Sequence, residues 1–284
     1  MGVLKVPVIG DFGYMQNAPE YTATNGNLNY NYSLPNTAMV TLIPEKLIMT
    51  IPVSYELLER GINIEQYIRS GVANSWSRTI ESILLNADNT TGTNNINSKG
   101  EDIQDGDKRH WFRNAGLRKK AMEQDATLDI GTIDDKDLFD VVAKLGEKSA
   151  NPADCLFIMN RRTALTISQL PAYKNQYQNG RSSTMHKDAE TNMLGSDIMV
   201  TREMVETDET GAVSKTASEN TKGSFLYINK YAPQYGFDKV RIEVKKIEGY
   251  GYHFVVTGYF AHQIASKLVG VKDPSLALAY NVTL

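Results

Sequence analysis

VTLIPEKLIMTIPVSYELLERGINIEQYIRSGVANSWSRTIESILL, residues 40–85, passes from an extended strand through a short capped helix into one long amphipathic helix. In the strand, Leu47, Met49, Ile51 and Val53 fall on one face, because successive side chains alternate. Pro52 lacks a ladder donor, which places the strand at a sheet edge or Pro52 at its end. Ser54 is an N-cap, Glu56 suits the positive end of the short helix, and Gly61 stops it. Asn63 with Gln66 reads as a capping box that starts the long helix. Ile64, Tyr67, Ile68, Val72, Trp76, Ile80, Ile83 and Leu84 then recur at helical spacing and predict its buried stripe. Gly71 inside the stripe costs roughly 1 kcal/mol against Ala, which suggests the close approach of another element.

Upstream, no Lys or Arg occurs between Lys5 and Lys46. Residues 1–39 hold Pro7, Gly10, Gly13, Pro19, Gly26 and Pro35 and show no helical period. Leu28, Tyr30 and Tyr32 alternate with Asn, as a strand or hairpin arm would. So weakly apolar an arm supports no core of its own; the body of the protein or another subunit must order it.

Downstream, residues 86–110 read as a surface loop that turns acidic, and a second apolar pattern takes in Trp111, Phe112, Leu117, Ala121 and Met122. From Thr132 the chain looks α/β. Thr132 with Asp135 caps a helix whose Leu138, Phe139, Val142 and Leu145 face inward, and Asn151-Pro152 ends it. A strand over 156–159 leads to Asn160, the cap of a helix halted at Leu170-Pro171. Residues 172–192 are polar, 194–200 predict a strand, and 206–222 a long loop. Val240, Ile242 and Val244 alternate with Arg241, Glu243 and Lys245, a strand with one wet face. His253 to Phe260 is apolar on both faces, like a covered central strand, and Gly249-Tyr250-Gly251-Tyr252 before it reads as a hairpin turn.

At 284 residues, with 41% hydrophobic and 22% charged side chains, the chain can bury a sizeable core. A net charge of −3 and a pI of about 5.9 disfavour a groove-tracking nucleic-acid binder, which needs a concentrated basic face. The nearest candidates, Arg118-Lys119-Lys120 and Lys245-Lys246, are diluted by acids. Cys155, the single cysteine, reads as a small core side chain. Neither an apolar leader nor a membrane-length run is present, so synthesis inside the cell is expected and the N-x-[ST] sequons carry no weight.

Catalytic and metal patterns are weak. Residues 209–216 end in Lys215-Thr216 but have Glu and Ser where a phosphate loop needs glycines. Glu101, Asp102, Asp105 and Asp107 surround Gly106, yet Ile103 and Phe112 occupy positions where a calcium loop needs oxygen ligands. Asp134, Asp135 and Asp137 are explained by a helix N-terminus. His110, His186, His253 and His262 have no zinc spacing, and no G-x-S-x-G elbow occurs. No catalytic, cofactor or metal residue is therefore assigned.

Val53-Ser54-Tyr55-Glu56-Leu57-Leu58-Glu59, followed by Asn63-Ile64-Glu65-Gln66-Tyr67-Ile68, resembles the major capsid proteins of tailed phages with the Hong Kong 97 fold. Residues 86–92 stand where that family has a Gly/Asp-rich loop, without its G-D-G core. Leu156 to Leu165 is similar to its axial strand–cap–helix, and Met193 to Ile198 to its L-G-x-P-V strand, with Asp197 in place of Pro. The resemblance implies an α+β fold: an N-terminal arm (1–14), an extended loop hairpin (15–46), a peripheral domain with a long spine helix (47–130), an axial α/β domain (131–235) and C-terminal strands returning to the peripheral domain (236–284). It also implies a function. Copies would assemble as hexamers and pentamers of an icosahedral shell around double-stranded DNA, held without sequence-specific binding, and the shell would form in the host cytoplasm and persist in the virion.

Tyr21, Leu28, Tyr30, Tyr32 and Leu34 of the loop are the expected subunit contacts. Portal, scaffolding and decoration proteins are the implied partners, and no membrane or cofactor is. Since 15–43 holds no lysine, covalent crosslinking through that loop is not expected. The chain begins almost directly with the arm, so scaffolding is expected to be separate or already removed. Two other readings remain open: a cellular nanocompartment shell of the same fold, and a small soluble hydrolase using Asp134, Asp135 and Asp137.

Overall fold

In the computed structural model, residues 4–9, 37–60, 64–97, 110–170, 192–248, 250–264 and 274–284 are described. The strand predicted within 40–53 is β3 (Glu45–Ser54), and its burial alternates with Leu47, Met49, Ile51 and Val53 inward. It is preceded by β1 (Leu4–Ile9) and β2 (Thr37–Leu42), which pair antiparallel from Leu4 opposite Leu42 to Ile9 opposite Thr37. After β3, Ser54 Oγ accepts from the Leu57 amide at 3.3 Å and caps α1 (Tyr55–Arg60) as expected. The girder is α2 (Ile64–Asn86), 23 residues and therefore roughly 35 Å long. Its second half is the better buried, with Ile83 and Leu85 closed off. Tyr67 departs from the predicted stripe and is 81% exposed. The proposed capping residue Asn63 lies outside the described residues.

Gly71 faces open space, with nothing within 4 Å of where a Cβ would stand, so it makes no close approach among the described residues. That role belongs to Gly116. A Cβ there would stand 2.6 Å from the Ala87 amide nitrogen, and the Gly116 amide donates to Ala87 O at 2.7 Å. Gly258 is another such position, lying under the Trp76 ring.

Two sheets carry the body. In the first, β3 pairs with β11 (Gly251–Ile264), and β11 pairs on its other side with β9 (Pro233–Phe237) and β10 (Arg241–Ile247). Phe237 opposes Phe260 and Arg241 opposes Thr257, so the β9–β10 side has one more residue over that interval than β11. This is a bulge, and it lets β9 and β10 run as one bent edge along β11. His253 to Phe260 is central in the ladder, as read from the sequence, though most of its side chains are only half-buried. β3 is an edge strand, which is why it tolerates Pro52.

The second sheet has the order β4-β12-β8-β5-β7-β6. These strands are β4 (Thr127–Asp129), β5 (Cys155–Met159), β6 (Asn192–Met193), β7 (Ser196–Val200), β8 (Lys222–Asn229) and β12 (Leu276–Thr283). The 194–200 strand is therefore one arm of a small hairpin. Leu194 and Gly195, at φ 52° and 80°, form its two-residue turn, where both positions need a left-handed conformation. Of the strands in residues 236–284, β10 and β11 lie in the β3 sheet. β12 pairs with β4 and β8 in the six-stranded sheet instead.

Helices cover both faces of this second sheet. α4 (Asp135–Lys144) and α5 (Arg161–Ser168) pack with Phe157, Phe225, Tyr227, Ala277 and Ala279. α3 (Leu117–Glu123) and Leu85 of α2 pack with Ile158, Leu226, Ile228, Leu276 and Leu278 on the opposite face. The cap of α4 is Asp134, in a box with Asp137, rather than Thr132. Leu138 and Leu145 face inward as expected together with Val141, whereas Phe139, also expected in the core, is 58% exposed. Asn160 caps α5 as read, its Oδ1 accepting from the Thr163 amide at 2.7 Å.

Candidate functional site

Several of the chemical candidates meet a structural explanation. The carboxylates at the start of α4 serve its N-terminus: Asp137 Oδ2 accepts from the Asp134 amide at 2.7 Å, and Asp134 Oδ1 from the Asp135 amide at 2.6 Å. Cys155 is buried at the start of β5 near Tyr227, and burial pushes its thiol up, away from the reactive thiolate. Among the described residues no three His, Cys, Asp or Glu side chains come together to hold a metal, and no helix is long and apolar enough to cross a membrane. The Glu101–Asp107 acids and the residues expected to make subunit contacts, Tyr21, Leu28, Tyr30, Tyr32 and Leu34, lie outside the described residues.

His262 sits on β11 between Phe112 and Phe260, with ring centroids 5.5 and 5.7 Å away. Desolvation in this aromatic slot lowers its pKa to about 4, partly offset by the backbone at Asn114 and Ala115. It is a neutral core histidine at pH 7.

Two of the three basic residues at 118–120 are interior. Arg118 is fully buried and forks between Asn86 Oδ1 and Gly211 O, at 2.7 Å each. Burial lowers its pKa to about 10, against the opposing pull of Asp208. Lys119 Nζ lies 3.2 Å from Asp88 Oδ2, 3.1 Å from Thr90 Oγ1 and 2.5 Å from Asn94 O. Its ammonium is thus the cation at the centre of a loop that the sequence presents as surface. Lys120 is left, half-buried and 3.0 Å from Glu123. This cluster offers no phosphate-binding face.

An uncovered apolar surface lies on the four-stranded sheet. Residues directly opposite in a ladder project to the same side. Leu47, Met49 and Ile51 therefore share a face with Phe254, Val256 and Gly258, and that face meets Trp76 and Ile80 of α2, with Phe112 from the segment before α3 beside them. By register Ile242 and Val244 lie opposite Val256 and Phe254, and Tyr235 and Phe237 opposite His262 and Phe260. The same apolar face thus runs on past α2 onto the bent edge. There it is open: Phe237 is 62% exposed, Val244 55% and Ile242 41%. Residues 241–246 are exposed on both sides, so the sequence expectation of one wet face understated how open β10 is. An open cleft of about 690 Å³ between β3 and α2, lined by Trp76, Trp111, Met49 and Val72, is a second uncovered stretch of this face.

The alternation of Val240, Ile242 and Val244 was a signal for the strip, but nothing local told that α2 stops short of it. No local signal marks the burial of Arg118, whose acceptor Gly211 is 93 residues away.

Comparison with known proteins agrees with this picture. Residues 18–264 match the phage capsid family. None of the curated proteins matches the chain. Among solved structures, one from Microbacterium phage Oxtober96 is similar at a TM-score of 0.61 and 14% identity, covering 100% of this chain and 86% of that one. Another, from Gordonia phage Cozz, gives 0.60 and 12%, covering 97% and 80%. The capsid of an empty GTA particle gives 0.57 and 14%, covering 99% and 85%. At such identities the likeness establishes the fold, and it is the capsid fold that the Hong Kong 97 resemblance implied.

Proposed function

Because the chain belongs to the phage capsid family, we propose that it builds the virion shell by self-association, as hexamers and pentamers of an icosahedral head. It is a major capsid protein, and its place is the capsid of the virion. The role is structural; no residue is assigned catalysis. The shell encloses double-stranded DNA without reading its sequence, forms in the host cytoplasm, and works with portal, scaffolding and decoration proteins.

Within the subunit, the proposed division is an arm (1–14), a subunit-lapping loop (15–46) that carries Tyr21, Leu28, Tyr30, Tyr32 and Leu34, a peripheral part on α2 and the β3–β11 sheet, and an axial part on the six-stranded sheet. One observation supports assembly most directly. The apolar face of the four-stranded sheet continues beyond α2 into solvent at Tyr235, Phe237, Ile242 and Val244, and apolar surface of this kind marks a site of association. Purified protein, supplied with any scaffold it needs, is expected to elute as capsomers or larger particles and to show closed shells by negative-stain microscopy. A preparation that stays a small soluble species under all such conditions would contradict the reading.

A further inference from the structure

The end of α2 is wedged between the two sheets. Ile83, with Ala87 just past the helix, packs with Phe260 of β11 and with Phe112 from the segment before α3, while Leu85 joins the apolar layer beneath β8 and β12. At this crossing the contact changes from apolar to polar. Asn86 presents Oδ1 to Arg118 at 2.7 Å and donates from Nδ2 to Glu203 O at 2.8 Å, and its own carbonyl accepts from Asn97 Nδ2 at 2.8 Å. Arg118 reaches on to Gly211 O at 2.7 Å, in the connection between β7 and β8. That connection is also tied to the loop after α2, since the Val213 amide donates to Ile96 O at 2.7 Å.

We infer that this buried joint, with the Arg118 fork between Asn86 and Gly211 at its centre, sets the angle between α2 and the six-stranded sheet and so the curvature at which copies meet. The inference rests on the capsid reading. An apolar contact tolerates sliding and rotation, whereas a planar guanidinium satisfies two acceptors only in fixed directions. Removing a guanidinium from water costs several kcal/mol, and apolar side chains of similar volume often replace buried ions without loss of stability. Arg118 is buried with Nε unpartnered among the described residues, so packing alone is a poor account of it. A closed shell, in contrast, needs the rotation between neighbours to be right, or the assembly remains open.

The test compares particle diameters by cryo-electron microscopy for wild type, Arg118→Met, Asn86→Ala and the half-exposed control Lys120→Met, with thermal unfolding of unassembled subunits alongside. Arg118→Met and Asn86→Ala are expected to fold and to give a shifted or broadened diameter distribution, including open or tubular products, while Lys120→Met matches wild type. Asn86→Ala decides the matter if Arg118→Met does not fold. Two outcomes overturn the inference: folded variants that build shells of the wild-type diameter, or failure of both variants to fold, which would make the joint an ordinary core element. Wild type that forms no shells would sink the capsid reading itself; uniform shells from every variant would sink the joint alone.

Discussion

In the six-stranded sheet, residues 223–228 of β8 and 276–279 of β12 are buried throughout, with helices on both faces. In the four-stranded sheet, residues 241–246 of β10 are exposed throughout, and α2 covers only part of the apolar face. The strands of the first sheet are the more apolar, and β10 carries Arg241, Glu243, Lys245 and Lys246 on one side, yet Ile242 and Val244 on its other side are apolar and still lack cover. The first completes its core within one chain. The second leaves an apolar margin that a neighbouring copy can complete, which is what a subunit of a shell requires.

That contrast can be broken first at its stable end. Phe225→Ala removes a fully buried ring that packs against Phe157, their centroids 6.3 Å apart. A loss of about 3–5 kcal/mol is expected, measured by denaturant unfolding of unassembled subunits. A loss below about 1 kcal/mol would mean that the six-stranded core is less complete than its burial implies.

Acid should act on the other sheet. The folded pKa of His262 is about 4, below its ordinary 6.5. Above pH 6.5 the ring is neutral in both states and its burial carries no protonation penalty. Between pH 6.5 and 4 the unfolded chain takes up a proton that the native one refuses, so stability falls over this window and levels off below it, by on the order of 3 kcal/mol. Protection against hydrogen exchange, taken relative to the intrinsic exchange rate at each pH, is expected to fall from pH 7 to pH 5 in 251–264 ahead of 222–229, and His262→Gln should flatten the dependence. A uniform loss of protection in both sheets, or an unchanged slope in His262→Gln, would place the sensitivity elsewhere.

Much of the fold was legible because its signals are local. β3 with its Ser54 cap, the length of α2, β5 and the Asn160 cap each rest on residues within a few positions of one another. In α4 Leu138, Val142 and Leu145 were placed correctly and only Phe139 was misread, because the face that packs on the sheet runs through Leu138, Val141 and Leu145 and is chosen by the partner surface rather than by the cap. The choice of sheet for β12 and the burial of Arg118 and Lys119 rest on partners far away in sequence, which no local pattern encodes. The open flank was half legible: alternation marked the apolar side of β10, but only the extent of α2 decides whether that side is covered.

The smallest expected effect on the subunit carries the most weight for the whole. Ile242→Asp with Val244→Asp places two charges on the open flank, where substitutions usually change stability by no more than about 0.5 kcal/mol. Unassembled subunits should therefore unfold nearly as wild type does. Electron microscopy of the same preparation should find no closed shells, because the charges would be buried without partners at the contact between copies. Wild-type shells formed in normal yield by the double variant would contradict the claim that this sheet is completed by a neighbour.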